Sequence, residues 1–211
     1  MMGVMILPSS ITPDKAIALL RGAGVRPDVM RASLTLGSVM GFFADYLGHS
    51  EKRDYWIAAG LLHFVSRQGP LTRKQFIEAG ADEEFLSIVA EGEIELDEVT
   101  PRPGKKRVPR EEIPQLTRAE KLRTLLVTLD HLITFVQAVA ETRPQKSVDG
   151  MKVSAVQKKF KDRRFMPSVS RAKILDGARK LRIEIGDFTS KTMRAICDSE
   201  EKVSNIMKDV G

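Results

Sequence analysis

The chain has 211 residues, of which 42% are hydrophobic and 29% charged, and it carries a formal net charge of +6. Such a length and composition belong to a soluble globular protein that buries a core of its own. The single cysteine, Cys197, excludes an intramolecular disulfide framework and a cysteine-based zinc site, and it predicts a reducing compartment, either cytoplasm or an organelle matrix. The basic balance permits anionic partners without choosing among them.

The N-terminus, from Met1 to Ile11, is apolar and short, and its first charge is Asp14. It lacks the basic start of a signal peptide and the length to span a bilayer, so it reads as an arm laid on this domain or on a partner, and no membrane span is expected. Thr12 as N-cap, Pro13 in the first turn and the Gly22-Ala23-Gly24 stop predict a first helix over 12–22. Pro27 opens a second helix to about Leu47, with Leu36, Val39, Met40 and Phe43 on its apolar side and Gly48 as its end. Ser50 is expected to cap a third helix, to about Ser66. It carries the densest apolar run of the chain, Trp56-Ile57-Ala58-Ala59-Gly60-Leu61-Leu62-His63-Phe64. There Trp56, Ala59, Gly60 and His63 share one face by helical spacing. His49 falls in the preceding turn and is expected to be exposed.

Thr72 caps a short helix to Ala79, and a further short helix follows from Ala81 to Glu91. Periodicity fails over 92–116, a stretch with four prolines that reads as a surface loop or insertion. Thr117 and Glu120 have capping-box spacing and start the longest helix, to about Thr142, with Leu122, Leu125, Leu126, Leu129, Leu132, Ile133 and Val136 on a wide apolar face. Helices over about 153–161, 169–181 and 187–208 complete the chain. No stretch alternates as a strand would. The expectation is an all-α bundle of about eight helices forming one domain over 12–211.

Charge is segregated along the chain. Residues 78–98 are acidic, the insertion carries Lys105, Lys106 and Arg107, and a second basic run is Lys158, Lys159, Lys161, Arg163 and Arg164. The basic runs are candidate contacts for phosphates, nucleic acid or an acidic protein. Phe160 and Phe165 stand within the second run, either as base-stacking rings or as core anchors.

An ordered series of segments resembles the HD superfamily of metal-dependent phosphohydrolases. It comprises Tyr55-Trp56-Ile57-Ala58-Ala59-Gly60-Leu61-Leu62-His63, then Leu129-Asp130-His131-Leu132, Arg143-Pro144-Gln145-Lys146, the block Ser154 to Phe165, Val169-Ser170-Arg171 and Asp176-Gly177-Ala178. The resemblance implies an all-α HD fold. It also implies a site in which His and Asp side chains hold one or two divalent ions, which activate water for phosphoester hydrolysis.

Carried onto this chain, that ligand set is degenerate. Arg31-Ala32-Ser33-Leu34 stands where a first His is expected, and Phe64 replaces the partner Asp of His63. Glu91 falls near a further His position, and Asp130 matches the last carboxylate. His63 and Asp130 thus read either as a hydrogen-bonded core pair or as the remnant of a metal site. Two ligands are too few for a tightly held catalytic ion. The expectation is therefore a catalytically silent, HD-like accessory subunit that binds protein partners in a larger assembly and needs no cofactor. The rival readings are a phosphohydrolase with a divalent metal on His63, Asp130 and Glu91, and a nucleic-acid-binding module.

Overall fold

The computed structural model describes residues 11–68, 71–90 and 115–208. Among the described residues there are nine α-helices and no strand: α1 (Pro13–Gly22), α2 (Pro27–Tyr46), α3 (Arg53–Gln68), α4 (Arg73–Glu78), α5 (Glu83–Ala90), α6 (Arg118–Glu141), α7 (Val153–Lys161), α8 (Arg171–Lys180) and α9 (Ile185–Lys208). The protein is all-α, as its periodicity predicts. The N-terminal arm up to residue 10 and the insertion from 92 to 114 lie outside the described residues.

The helix ends follow local chemistry. The Thr12 hydroxyl accepts from the Lys15 N–H at 3.4 Å, and Pro13 needs no donor in the first turn. At α6 the capping box is complete: Thr117 Oγ1 accepts from the Glu120 N–H at 3.3 Å, and the Glu120 carboxylate accepts from the Thr117 N–H at 2.8 Å. These hydrogen bonds, first the backbone one and then that from the hydroxyl, hold the Glu120 carboxyl below its ordinary range. A second capping box joins Thr72 and Gln75 at α4. Ser50 does not cap α3. It opens a single 3-10 turn, Ser50–Lys52, before α3 begins at Arg53. Gly48, with φ of 77°, makes the left-handed exit from α2 that a side chain would strain.

The chain divides into two compact units, Met1–Gly92 with Asn205–Gly211, and Glu93–Ser204. In the first, α3 is central and packs on α1, α2 and α5. Its apolar face is buried, with Trp56, Ala58, Ala59 and Leu62 fully inside. A glycine seam sets the α2–α3 distance. A Cβ on Gly60 would lie 2.8 Å from the Gly37 Cα and 2.9 Å from the Gly37 N, and one on Gly37 would meet Leu61 Cγ at 2.8 Å. Gly60, which costs α3 helix propensity, is there because two backbones approach each other. Ser66 ties α3 to the end of α5 by donating to the Val89 carbonyl at 2.8 Å. His49, expected outside, is half-buried instead, its ring 5.3 Å from that of Trp56. The flat apolar side of the imidazole covers the indole that α3 turns toward it.

In the second unit α6 packs on α7 and α8. Its stripe Leu122, Leu125, Leu126, Leu129, Leu132, Phe135 and Val136 is buried. This is also the one described helix long and apolar enough to cross a membrane by length and composition, and 61% of that window is buried within the protein. Gly177 of α8 sits against α6, where a Cβ would fall 1.8 Å from Thr128 Oγ1.

Candidate partner-binding site

The residues singled out as a metal site are distributed as follows. His63 is fully buried on α3 in the first unit, with the Phe64 ring edge-on at 5.3 Å. Asp130 is half-buried on α6 in the second, with His131 beside it, also half-buried. Glu91 lies outside the described residues, as do Lys105, Lys106 and Arg107. Among the described residues no three His, Cys, Asp or Glu side chains gather where one ion could sit. Phe64, next to His63, carries no oxygen donor of the kind a hard cation takes.

The second basic run forms a more definite arrangement. Lys158, Lys159 and Lys161 occupy the last turn of α7, where cations complement the carbonyl end of the helix. Ser154, Gln157, Lys158 and Lys161 are all exposed and recur at three- and four-residue steps, so they form one polar stripe without a carboxylate. The opposite side of α7 buries Val156 and half-buries Phe160. Beyond the helix Arg163 and Arg164 are both exposed. The one acid in the run, Asp162, turns Oδ1 back to accept from the Arg164 backbone N–H at 3.0 Å. Among the described residues, Lys158, Lys161, Arg163 and Arg164 form no ion pair.

The turn that carries these cations is held from below by Arg171. Its Nε donates to the Phe160 carbonyl at 3.1 Å. Nη1 donates to the carbonyls of Met166 at 3.2 Å and Val169 at 3.3 Å. Nη2 donates to those of Asp162, at 2.9 Å, and Phe165. A guanidinium has five N–H donors, and here each has its own carbonyl. The same group lies 5.0 Å from the Phe135 ring centroid and 5.7 Å from that of Phe160. With its backbone fixed in this way, Met166 holds a left-handed φ of 48°.

Phe160 and Phe165 stand edge-on to Phe135, with centroids at 5.4 and 5.5 Å, and Lys159 Nζ lies 4.8 Å over Phe165. Of the two roles the sequence left open for these rings, the structure gives them that of anchors under the loop. Arg171 stood in the sequence only as part of a resemblance segment with no role of its own, yet it left a signal. A cation in the first turn of a helix opposes the helix dipole, so an Arg there needs another reason to exist.

Other charged groups are spent locally. Arg143 Nη1 donates to the carbonyls of Ser147 and Asp149 and closes the turn that follows α6. Burial tends to raise the Asp176 carboxyl, but hydrogen bonds from Lys180 and Arg179 outweigh it and hold the group below its usual range. In the acidic stretch, Glu78 pairs with Lys74 and Glu83 with Arg73, and Asp82 Oδ1 accepts from the Phe85 N–H at 2.7 Å. Burial, helped by Asp149, Asp198 and Glu200, pushes the Cys197 thiol up, which leaves it protonated and a poor nucleophile.

Compared with known protein families, characterised proteins and solved structures, the chain matches none.

Proposed function

We propose that this chain is a non-catalytic, HD-like helical subunit that works by binding, and that its contact surface includes the cationic edge of α7 and residues 163–164. The observation that carries this reading is the clustering of exposed cations beside a braced turn. Some cations elsewhere pair with nearby acids, as in Asp176 with Arg179 and Lys180 or Asp187 with Lys191. Lys158 and Lys161 at the end of α7, with Arg163 and Arg164 in the turn that a fully committed guanidinium holds in place, are four exposed cations within seven residues. Four exposed cations against the single carboxylate of Asp162 leave this stretch net positive, and an anionic partner meets it at little cost in ordering. The donor set supports the absence of catalysis from the other side, since His63 has no carboxylate neighbour in sequence and Phe64 takes that place.

The test is the size at which the native chain travels in a gently prepared cell extract. It is expected well above its own 23.5 kDa, and the variant with Lys158, Lys161, Arg163 and Arg164 all changed to Gln is expected to run as a free chain. A native chain running alone would sink the proposal. So would phosphoester hydrolysis by the purified protein that His63→Gln abolishes while the circular dichroism spectrum is unchanged.

A further inference from the structure

Resting on that reading, we infer that the anionic partner is a nucleic-acid duplex, gripped by its phosphate backbone without reading of sequence. Three observations select it from the anions that a basic surface can meet.

The first is the absence of an apolar anchor. Protein partners are held chiefly by aromatic or aliphatic side chains that enter a pocket, with charges at the rim. The large hydrophobic residues exposed among the described ones are Tyr46, Ile77 and Leu175. None lies on α7 or in the turn after it. A surface of Ser154, Gln157, Lys158, Lys161, Arg163 and Arg164, with Asp162 as its one acid, offers hydrogen bonds and a net positive charge, which is what a phosphate backbone takes.

The second is the state of the aromatic rings. Single strands are held in large part by stacking their bases on open aromatic faces. Phe160 and Phe165 are half-buried and edge-on to Phe135, with Arg171 over one ring and Lys159 over the other. The rings that the sequence offered as stacking surfaces support the loop instead. What remains is contact with the backbone, which a duplex presents at fixed spacing and a single strand does not.

The third is fixed presentation. The carbonyls that Arg171 holds belong to residues 160, 162, 165, 166 and 169, and so span the whole turn from which Arg163 and Arg164 project. Lys158 and Lys161, three residues apart on the exposed side of α7, come just before that turn. Cations on an ordered backbone suit phosphates whose positions are likewise ordered.

The experiment is fluorescence anisotropy with the full chain and a labelled short duplex of arbitrary sequence, titrated with salt. Four cations on phosphates predict that log K falls against log salt concentration with a slope of about −3.6 on a duplex. RNA and DNA duplexes of one sequence are expected to bind within a few-fold of each other, and the matching single strand more weakly. Neutralising Lys158, Lys161, Arg163 and Arg164 to Gln is expected to remove binding, while Lys158→Arg with Lys161→Arg retains it. A control with the same loss of charge at exposed cations elsewhere, Arg26, Lys74, Arg194 and Lys202 to Gln, is expected to bind like the native chain.

The inference is overturned if the duplex is not bound, if the control loses binding as fully as the site variant, or if the single strand binds more tightly. It is overturned in favour of an acidic protein partner if polyglutamate binds more tightly than the duplex. In each of those cases an assembly that still depends on the four cations in cell extract would leave the proposed binding role standing.

Discussion

Two regions of this protein solve opposite problems with similarly conspicuous residues. At the α2–α3 seam, side chains are removed so that backbones can touch: Gly37 and Gly60 face each other, with Leu61 against the first and Met40 against the second. At the α7 turn a long side chain is added so that a backbone with no regular hydrogen bonding can be fixed. Arg171 supplies the donors that neighbouring N–H groups would supply inside a helix. The first device buries apolar area and leaves nothing to present. The second spends one cation inside and leaves four outside. A glycine inside a helix and an arginine at a helix start both run against local preference, and in each case a tertiary contact outweighs the local cost.

The comparison can be broken at several points. The largest stability loss is expected for Gly60→Ala. Helix propensity favours Ala by about 1 kcal/mol, but the new methyl meets backbone that cannot rotate away, and overpacking of about 3 kcal/mol is expected to leave a net loss of about 2 kcal/mol. Urea denaturation would show it, and a variant as stable as the parent would mean that the seam is loose. Arg171→Lys keeps the charge but offers three donors for five carbonyls. It is expected to cost about 1–2 kcal/mol. It should also weaken duplex binding although no surface charge has changed, whereas unaltered binding would show that the fixed turn is irrelevant to the surface.

Acidification tests a purely local element for contrast. The Glu120 carboxyl is held below its ordinary range by the hydrogen bonds of the α6 cap, so its contribution is fully present above the unfolded-state range. It is lost as pH falls through the lowered folded-state value. Stability of the native chain should therefore decline across that acidic window more steeply than that of Glu120→Gln, and parallel curves would remove the cap from the account. The smallest stability effect, within about 0.5 kcal/mol, is expected for Lys158→Gln with Lys161→Gln, because both are exposed and unpaired among the described residues. A large loss in thermal denaturation would mean that these lysines serve the fold.

Residues that stand in the resemblance segments have roles in the architecture. Gly177 admits Thr128, Arg143 closes a turn, and Trp56 fills the core beside His49. Such positions stand out in a sequence for the same reason that catalytic residues do: few other side chains fit them. Packing is sufficient to explain them here. His63 shows the limit of spacing arguments. Its face on α3 was readable, since Trp56, Ala59 and Gly60 share it, whereas its complete burial is a property of the packed helices.

What the sequence determined by itself is the helical architecture and its punctuation. Capping hydroxyls, prolines in first turns, left-handed glycines and the apolar stripe of α6 act over a few residues, and their energetics are written in neighbouring letters. The cationic run was equally legible as composition. Only the tertiary structure decided what that run is for the fold. It turned Phe160 and Phe165 inward onto Phe135, placed Arg171 beneath them, and left Lys158, Lys161, Arg163 and Arg164 facing solvent. Those choices depend on contacts between α6, α7 and α8, which local preference does not encode.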